Sequence, residues 1–252
     1  MAAWLESYRE PMFLLFPVAA QLVSVVAFAT FAAPLTWIAW RDSEGMRKYR
    51  IQHRKPRAQD LVLPSIKLWI VNNLVMFVVV TASWPLLRAS RVHAGAWPIW
   101  YEVLWQLLFF IYLDDFLYYW MHRAMHGGWL YRKIHSVHHR IHTPWAVTGH
   151  YMHPVEYVAT GSVALIGPMM VGAHVLTLWI WIAFRQWEAC EGHCGYAFPW
   201  SPTRFLPFGD GAVHHDFHHA KIKGNYAGFL GLWDRVFGTP ARGWGSRNVR
   251  TR

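Results

Sequence analysis

Residues 12–40, MFLLFPVAAQLVSVVAFATFAAPLTWIAW, contain no charged side chain. About 20 apolar residues are enough for a helix to cross the hydrocarbon core of a bilayer. A run of this length commits the chain to lipid as a solvent, where every backbone polar group must be satisfied internally and helices are the economical answer. Pro17 and Pro34 lie near the ends of the run, where a kink is tolerated. Glu6, Arg9 and Glu10 precede it, and it is too long for the apolar region of a secretory signal.

Two further runs follow. Residues 61–87 form a second expected span, with Lys67 close enough to the boundary to snorkel and Asn72 and Asn73 facing other helices. Residues 98–126 form a third, with Asp114 and Asp115 near its end. Residues 154–187 are apolar again. Gly167-Pro168 divides them into legs that are each short for a straight crossing, which predicts a helical hairpin. Between the first two spans, Arg41 to Arg57 carries seven Lys or Arg against two acids, which places that loop on the cytoplasmic side.

The expected fold is therefore all-α: a multi-pass transmembrane bundle of about three spans plus the hairpin, in a single membrane domain over residues 1–252. Residues 127–153 and 188–240 would form a cytoplasmic His-rich helical cap, followed by a tail at 241–252. The net charge of +10 comes from the gaps between apolar runs, so it fits anionic lipid headgroups and excludes a nucleic-acid role.

Thirteen of the sixteen histidines lie in two stretches, from His122 to His153 and from His193 to His219. Imidazole binds transition metals as a neutral ligand near pH 7. His122 and His126 form HxxxH; His135, His138 and His139 form HxxHH, and His215, His218 and His219 repeat it. On a helix each set projects from one face, within reach of a shared ion. Eight imidazoles exceed what one tetrahedral zinc can use, so they imply two metal ions. Apolar helices rich in Trp, Phe and Met favour iron, whose open positions can bind O2, over zinc or copper. Asp115, seven residues before His122, shares its face and is expected to orient a ligand imidazole; Asp216 and Asp234 are further candidates for that role. Cys190 and Cys194 flank His193 and read as reduced small residues.

The segments DFLYYWMHRAMH, LYRKIHSVHH, HPVE, EGHCGYAFPWSP, HHDFHH, GNY and WDRVFGT resemble the fatty acid hydroxylase/sterol desaturase superfamily of membrane di-iron oxygenases, most closely its 4-methylsterol monooxygenases. The resemblance implies ligation by His122, His126, His135, His138, His139, His215, His218 and His219, with His193 as a ninth ligand and His153 and His214 as further ligands or supporting groups. Two positions depart from the pattern: Cys194 stands where Ser is usual, and His150 where the sterol enzymes often have Glu.

The implied activity is O2-dependent hydroxylation of an unactivated C–H of a lipid, most concretely a sterol 4-methyl group. Two Fe ions would act with O2 as co-substrate. Electrons would come from NAD(P)H through an external cytochrome b-type protein or ferredoxin with its reductase, since the chain has no dinucleotide fingerprint. The lipid would enter from the bilayer, in the endoplasmic reticulum of a eukaryote or the inner membrane of a bacterium. Fatty acid or other lipid hydroxylation or desaturation is the alternative on the same scaffold. A membrane metal-binding or transport protein is the non-enzyme alternative, but a transporter places ligands near mid-bilayer along a path.

Overall fold

The computed structural model describes residues 2–52 and 59–245, and these are helical without strands. His53 and the last residues of the basic loop and of the tail lie outside them. Five long helices make the body: α1 (Pro11–Arg41), α2 (Gln59–Ala82), α3 (Trp100–Met125), α4 (Pro154–Val171) and α5 (Val175–Gly192). The helix α6 (Ala212–Lys221) and the short α7 (Leu232–Val236) belong to the cap.

The segment 11–41, the segment 60–82 and α4 are long and apolar enough to cross a membrane. Less than a third of each apolar window is buried within the protein. Leu22, Val26, Leu63, Leu74 and Val78 point outward, as lipid-facing residues do. Trp37 and Trp40 are exposed at one end of the body, and Trp97, Trp100 and Tyr101 at the other, matching two interfacial aromatic belts. The chain is a membrane protein.

Polar residues inside the bundle join helices. Asn72 donates to the carbonyl of Met152 at 2.9 Å. Asn73 Oδ1 accepts from Gln21 at 2.7 Å and from the Tyr157 hydroxyl at 3.2 Å. Asp114 forms an ion pair with Arg185, its Oδ2 lying 3.0 Å from Nε, and the same guanidinium pairs with Glu188. These are the partners that an intramembrane amide or carboxylate needs.

The hairpin is present, but its break differs from the expected one. Pro168 lies inside α4, and the turn falls at Gly172, in the left-handed region at φ 65°. A proline inside a helix removes the N–H that would bond the carbonyl four residues earlier. Trp181 of α5 replaces it, its Nε1–H donating to the Ala164 carbonyl at 2.8 Å. Gly172 suits the turn for a second reason: a Cβ there would come within 2.6 Å of Arg91 Cβ. The two legs are α4 and α5, each of 18 residues.

One end of the bundle collects the loops that matter. The stretch after α1 pairs with the segment after α5, with Ile51 N–H donating to Gly195 O at 3.0 Å and Ala197 N–H to Tyr49 O at 2.8 Å. Gln52 reaches Asp216 of α6 at 2.8 Å. The described part of the basic loop and the cap therefore share one end. At the opposite end the 88–97 turn meets the hairpin tip, with Val175 N–H donating to His93 O at 2.8 Å.

Candidate metal centre

Nine imidazoles meet at the cap end in two groups. His122, His126, His135, His139 and His218 form one; His138, His193, His215 and His219 form the other. Within each group the candidate ligand atoms lie within 4.8 Å of one another. All but His126 are buried.

Helix geometry explains the division. His122/His126, His135/His139 and His215/His219 are spaced i, i+4, and each pair enters one group. The third histidine of each HxxHH crosses over: His138 joins the four-histidine group and His218 the five-histidine group. This corrects the expectation that each bundle serves one ion. In α6, residues four apart differ by about 40° and those three apart by about 60° on the other side, so its triplet straddles two positions. Residues 131–141, within the expected helical cap, are not a continuous α-helix either. A wide turn at Tyr131–His135 and a tight one at His138–Arg140 replace it, which lets His135, His138 and His139 all turn inward.

Hydrogen bonds at Nδ1 fix the tautomers. His122 Nδ1 faces Tyr226 O at 2.7 Å, His193 Nδ1 faces Ala189 O at 2.7 Å, His218 Nδ1 faces Gly224 O at 2.7 Å, and His219 Nδ1 faces Ile141 O at 2.8 Å. His138 Nδ1 lies 3.4 Å from Tyr151 O, and His135 Nδ1 2.7 Å from Glu156 Oε1. An acceptor at Nδ1 requires the proton there and leaves a lone pair on Nε2. Those Nε2 atoms face one another: His122–His135 at 3.0 Å and His135–His139 at 2.9 Å in one group, His193–His215 at 3.0 Å and His193–His219 at 3.1 Å in the other.

Lone pairs packed so closely repel unless a cation lies between them. An ion about 2.1 Å from each nitrogen sets right-angled neighbours about 3.0 Å apart and tetrahedral ones about 3.4 Å apart. The spacings fall mostly at the smaller value, and five donors exceed a tetrahedral shell. The donor set therefore fits two ions with more than four positions each, and iron is among the metals imidazole serves. Burial lowers the proton affinity of the cap imidazoles, His193 to about 4 and His135, His138, His139, His215, His218 and His219 below the usual value, the neighbouring rings adding to it at all but His193. They are neutral at pH 7, the form a metal requires.

The remaining expected site residues lie around the groups. His153 caps α4, its Nδ1 accepting from Val155 N–H at 3.2 Å, and it joins neither group. His214 points away, 3.4 Å from Asp234 Oδ2. The residue before a ligand in α6 faces another side of that helix. Asp115 accepts the N–H groups of Gly228 and Phe229 at 2.9 and 3.1 Å, so it holds backbone and does not touch an imidazole. Asp234 likewise accepts from Tyr226 and Ala227 N–H at 2.9 and 2.8 Å, which fixes the carbonyl that His122 uses. Asp216 accepts from Gln52. Cys190 and Cys194 are buried thiols outside both groups.

Glu156 is the functional residue that sequence reading passed over. Between Arg140 and Arg185 it is the only Asp, Glu, Lys or Arg, a signal in itself. A cavity of about 120 Å³ adjoins the four-histidine group. Its wall includes His193 and His215 at one end and Phe16, Met76, Val80 and Ile182 along the bundle.

Comparison with known proteins agrees with this geometry. The fatty acid hydroxylase family matches residues 107–239. A methylsterol monooxygenase of Arabidopsis thaliana is 37% identical over 227 residues, covering 88% of this chain and 84% of that protein. A second one from the same plant is 35% identical over 227 residues, covering 83% of each. A very-long-chain aldehyde decarbonylase of Oryza sativa subsp. japonica is 36% identical over 230 residues, covering 87% of this chain and 86% of that protein. No solved structure matches. A match over more than half of the chain, from α3 through both histidine groups to Thr239, makes this protein a member of the fatty acid hydroxylase family and an oxidoreductase of the hydroxylase type.

Proposed function

We propose that the protein is an O2-dependent di-iron membrane oxygenase that hydroxylates an unactivated C–H of a lipid, the preferred substrate being a sterol 4-methyl group. The observation that carries this reading is the shared wall: His193 and His215 belong both to the four-histidine group and to an apolar cavity between helices. A lipid entering from the bilayer would bring its hydrocarbon against the ligands. The names of two relatives that cover most of the chain, both methylsterol monooxygenases, support the sterol choice.

His122, His126, His135, His139 and His218 would hold one iron ion and His138, His193, His215 and His219 a second, and the pair would supply oxygen binding and C–H oxidation when reduced. The chain's own residues orient and exclude. The carbonyls at Nδ1 and the Glu156 carboxylate keep the Nε2 atoms of His122, His135, His138, His193, His218 and His219 aimed inward. Phe16, Met76 and Ile182 present hydrocarbon to hydrocarbon and keep water out. Electrons come from NAD(P)H through a separate cytochrome b-type or ferredoxin carrier and its reductase. The positive-inside bias of the Arg41–Arg57 loop, whose described part shares an end with the cap, supports a cytoplasmic face for the site. That face would be in the endoplasmic reticulum of a eukaryote or the inner membrane of a bacterium.

The sterol and fatty-acid profile of cells lacking the protein tests the reading. Accumulated 4-methylsterols are expected. Unchanged sterols with altered long-chain aldehydes, alkanes or hydroxy acids would transfer the chemistry to an acyl-derived lipid, a second reading favoured by the aldehyde decarbonylase relative.

A further inference from the structure

The cavity holds a polar group that the protein leaves unused. His150 ends the tight turn Ala146–His150 and is 6% exposed. Its ring stacks on Phe28 at 4.1 Å and 10°, and Tyr157 meets it edge-on at 5.2 Å. It lines the cavity with His193 and His215 yet belongs to neither histidine group. Nδ1 is buried with no partner, and no described group bonds either ring nitrogen. Three other histidines outside the groups are engaged through Nδ1: His153 and His174 cap helices, and His93 accepts a backbone N–H.

The place of the ring is fixed by its neighbour. A Cβ on Gly149 would come within 2.9 Å of His193 Nδ1, so the chain at 149–150 is pressed against a candidate ligand. His150 therefore stands beside the end of the cavity where oxidation would occur. Gln186, another cavity residue with an unpartnered Oε1, is seven residues before His193 on α5, which puts it about 10 Å further along the helix.

A buried polar atom without a partner costs about 1–3 kcal/mol, so a ligand that bonds it gains by doing so. Building on the lipid-oxygenase reading above, we infer that His150 is the binding residue for a neutral hydroxyl of the lipid, held next to the carbon that is oxidised. Burial, with His193 and Arg185 adding to it, holds the imidazole pKa down to about 3, so the ring is neutral. A neutral imidazole can accept from a hydroxyl or donate to it. A carboxylate or phosphate head finds no free cation there, because Arg185, the cavity's guanidinium, is already paired with Asp114 and Glu188. A cavity of this size suits the ring-sized, hydroxyl-bearing end of a lipid, since one of about 150 Å³ accepts benzene.

The test uses the iron-loaded enzyme in lipid nanodiscs. Dissociation constants are measured for a 4-methylsterol and its 3-deoxy counterpart, for a long-chain primary alcohol and its alkane, and for the matching aldehyde. The wild type should prefer an alcohol over its deoxy partner by about tenfold or more. His150→Phe keeps an aromatic ring on Phe28 and should bring that ratio close to one with iron content unchanged, and His150→Gln should restore part of it. Should the Phe variant lose iron, the Gln variant and the wild-type ratios carry the test. A ratio kept in His150→Phe, no alcohol preference in either wild-type pair, or equal binding of alcohol and aldehyde would overturn the inference. A preference confined to the long-chain pair would sink the sterol reading and leave the role of His150 standing.

Discussion

Glu156 Oε1 lies 2.7 Å from His135 Nδ1, and both side chains are buried. The contact ties the first turn of α4 to the five-histidine group, so one charged residue in a long apolar stretch sets the direction of an imidazole. Among the nine grouped histidines, His135 is the one whose Nδ1 partner is a carboxylate instead of a carbonyl.

Replacing that carboxylate is therefore expected to act on metal binding before it acts on the fold. Glu156→Gln should weaken iron at the five-histidine position by about 10- to 100-fold. Iron content after dialysis against graded chelator measures this, with the detergent-solubilised melting profile as the control for folding.

The crossing of the triplets gives a sharper expectation. His138→Ala and His139→Ala alter adjacent residues but different groups. Each should lower the iron content from about two per chain towards one with the helical content kept, and oxygenase activity should vanish in both. Distinct residual iron spectra from the two variants would identify the groups as separate ions. Full activity in His138→Ala would remove it from the ligand set.

Trp181 tests the hairpin. Its indole N–H serves the Ala164 carbonyl that Pro168 leaves open. Trp181→Phe keeps most of the ring volume and strands a buried carbonyl, so destabilisation of about 1–3 kcal/mol is expected. Thermal unfolding in detergent measures it. In the Pro168→Ala background the carbonyl regains a backbone donor, and the loss should shrink.

Acid should destabilise the iron-free protein. The cap imidazoles have folded-state proton affinities below their unfolded value, His193 at about 4, because burial disfavours the cation. The unfolded chain binds more protons between about pH 6.5 and 4. Stability is then fully present above about pH 6.5 and falls as the pH drops through that window. Each proton taken up contributes about 1.4 kcal/mol per pH unit. Asp216, raised by burial to about 7 despite its bond from Gln52, works in the opposite direction, as does Glu191, which burial also raises, but the imidazoles outnumber such carboxyls. Unfolding midpoints at pH 7.5, 6 and 5 measure the slope, and a flat profile would contradict the burial of these rings.

Much of this protein follows from the order of its residues alone. An uncharged run as long as residues 12–40 requires a lipid-spanning helix, because an open backbone cannot satisfy its own hydrogen bonds in the bilayer. The i, i+4 spacing of His122/His126 and of His215/His219 puts each pair on one face, because the turn of an α-helix is fixed. Packing alone could decide the rest. Which group His138 and His218 join, the meeting of Glu156 with His135, and the survival of α4 through Pro168 all depend on atoms far apart in the chain. Local periodicity carries no information about such contacts. They form only when helices dock, and at that moment a neighbour such as Trp181 can supply the donor that the local sequence withholds.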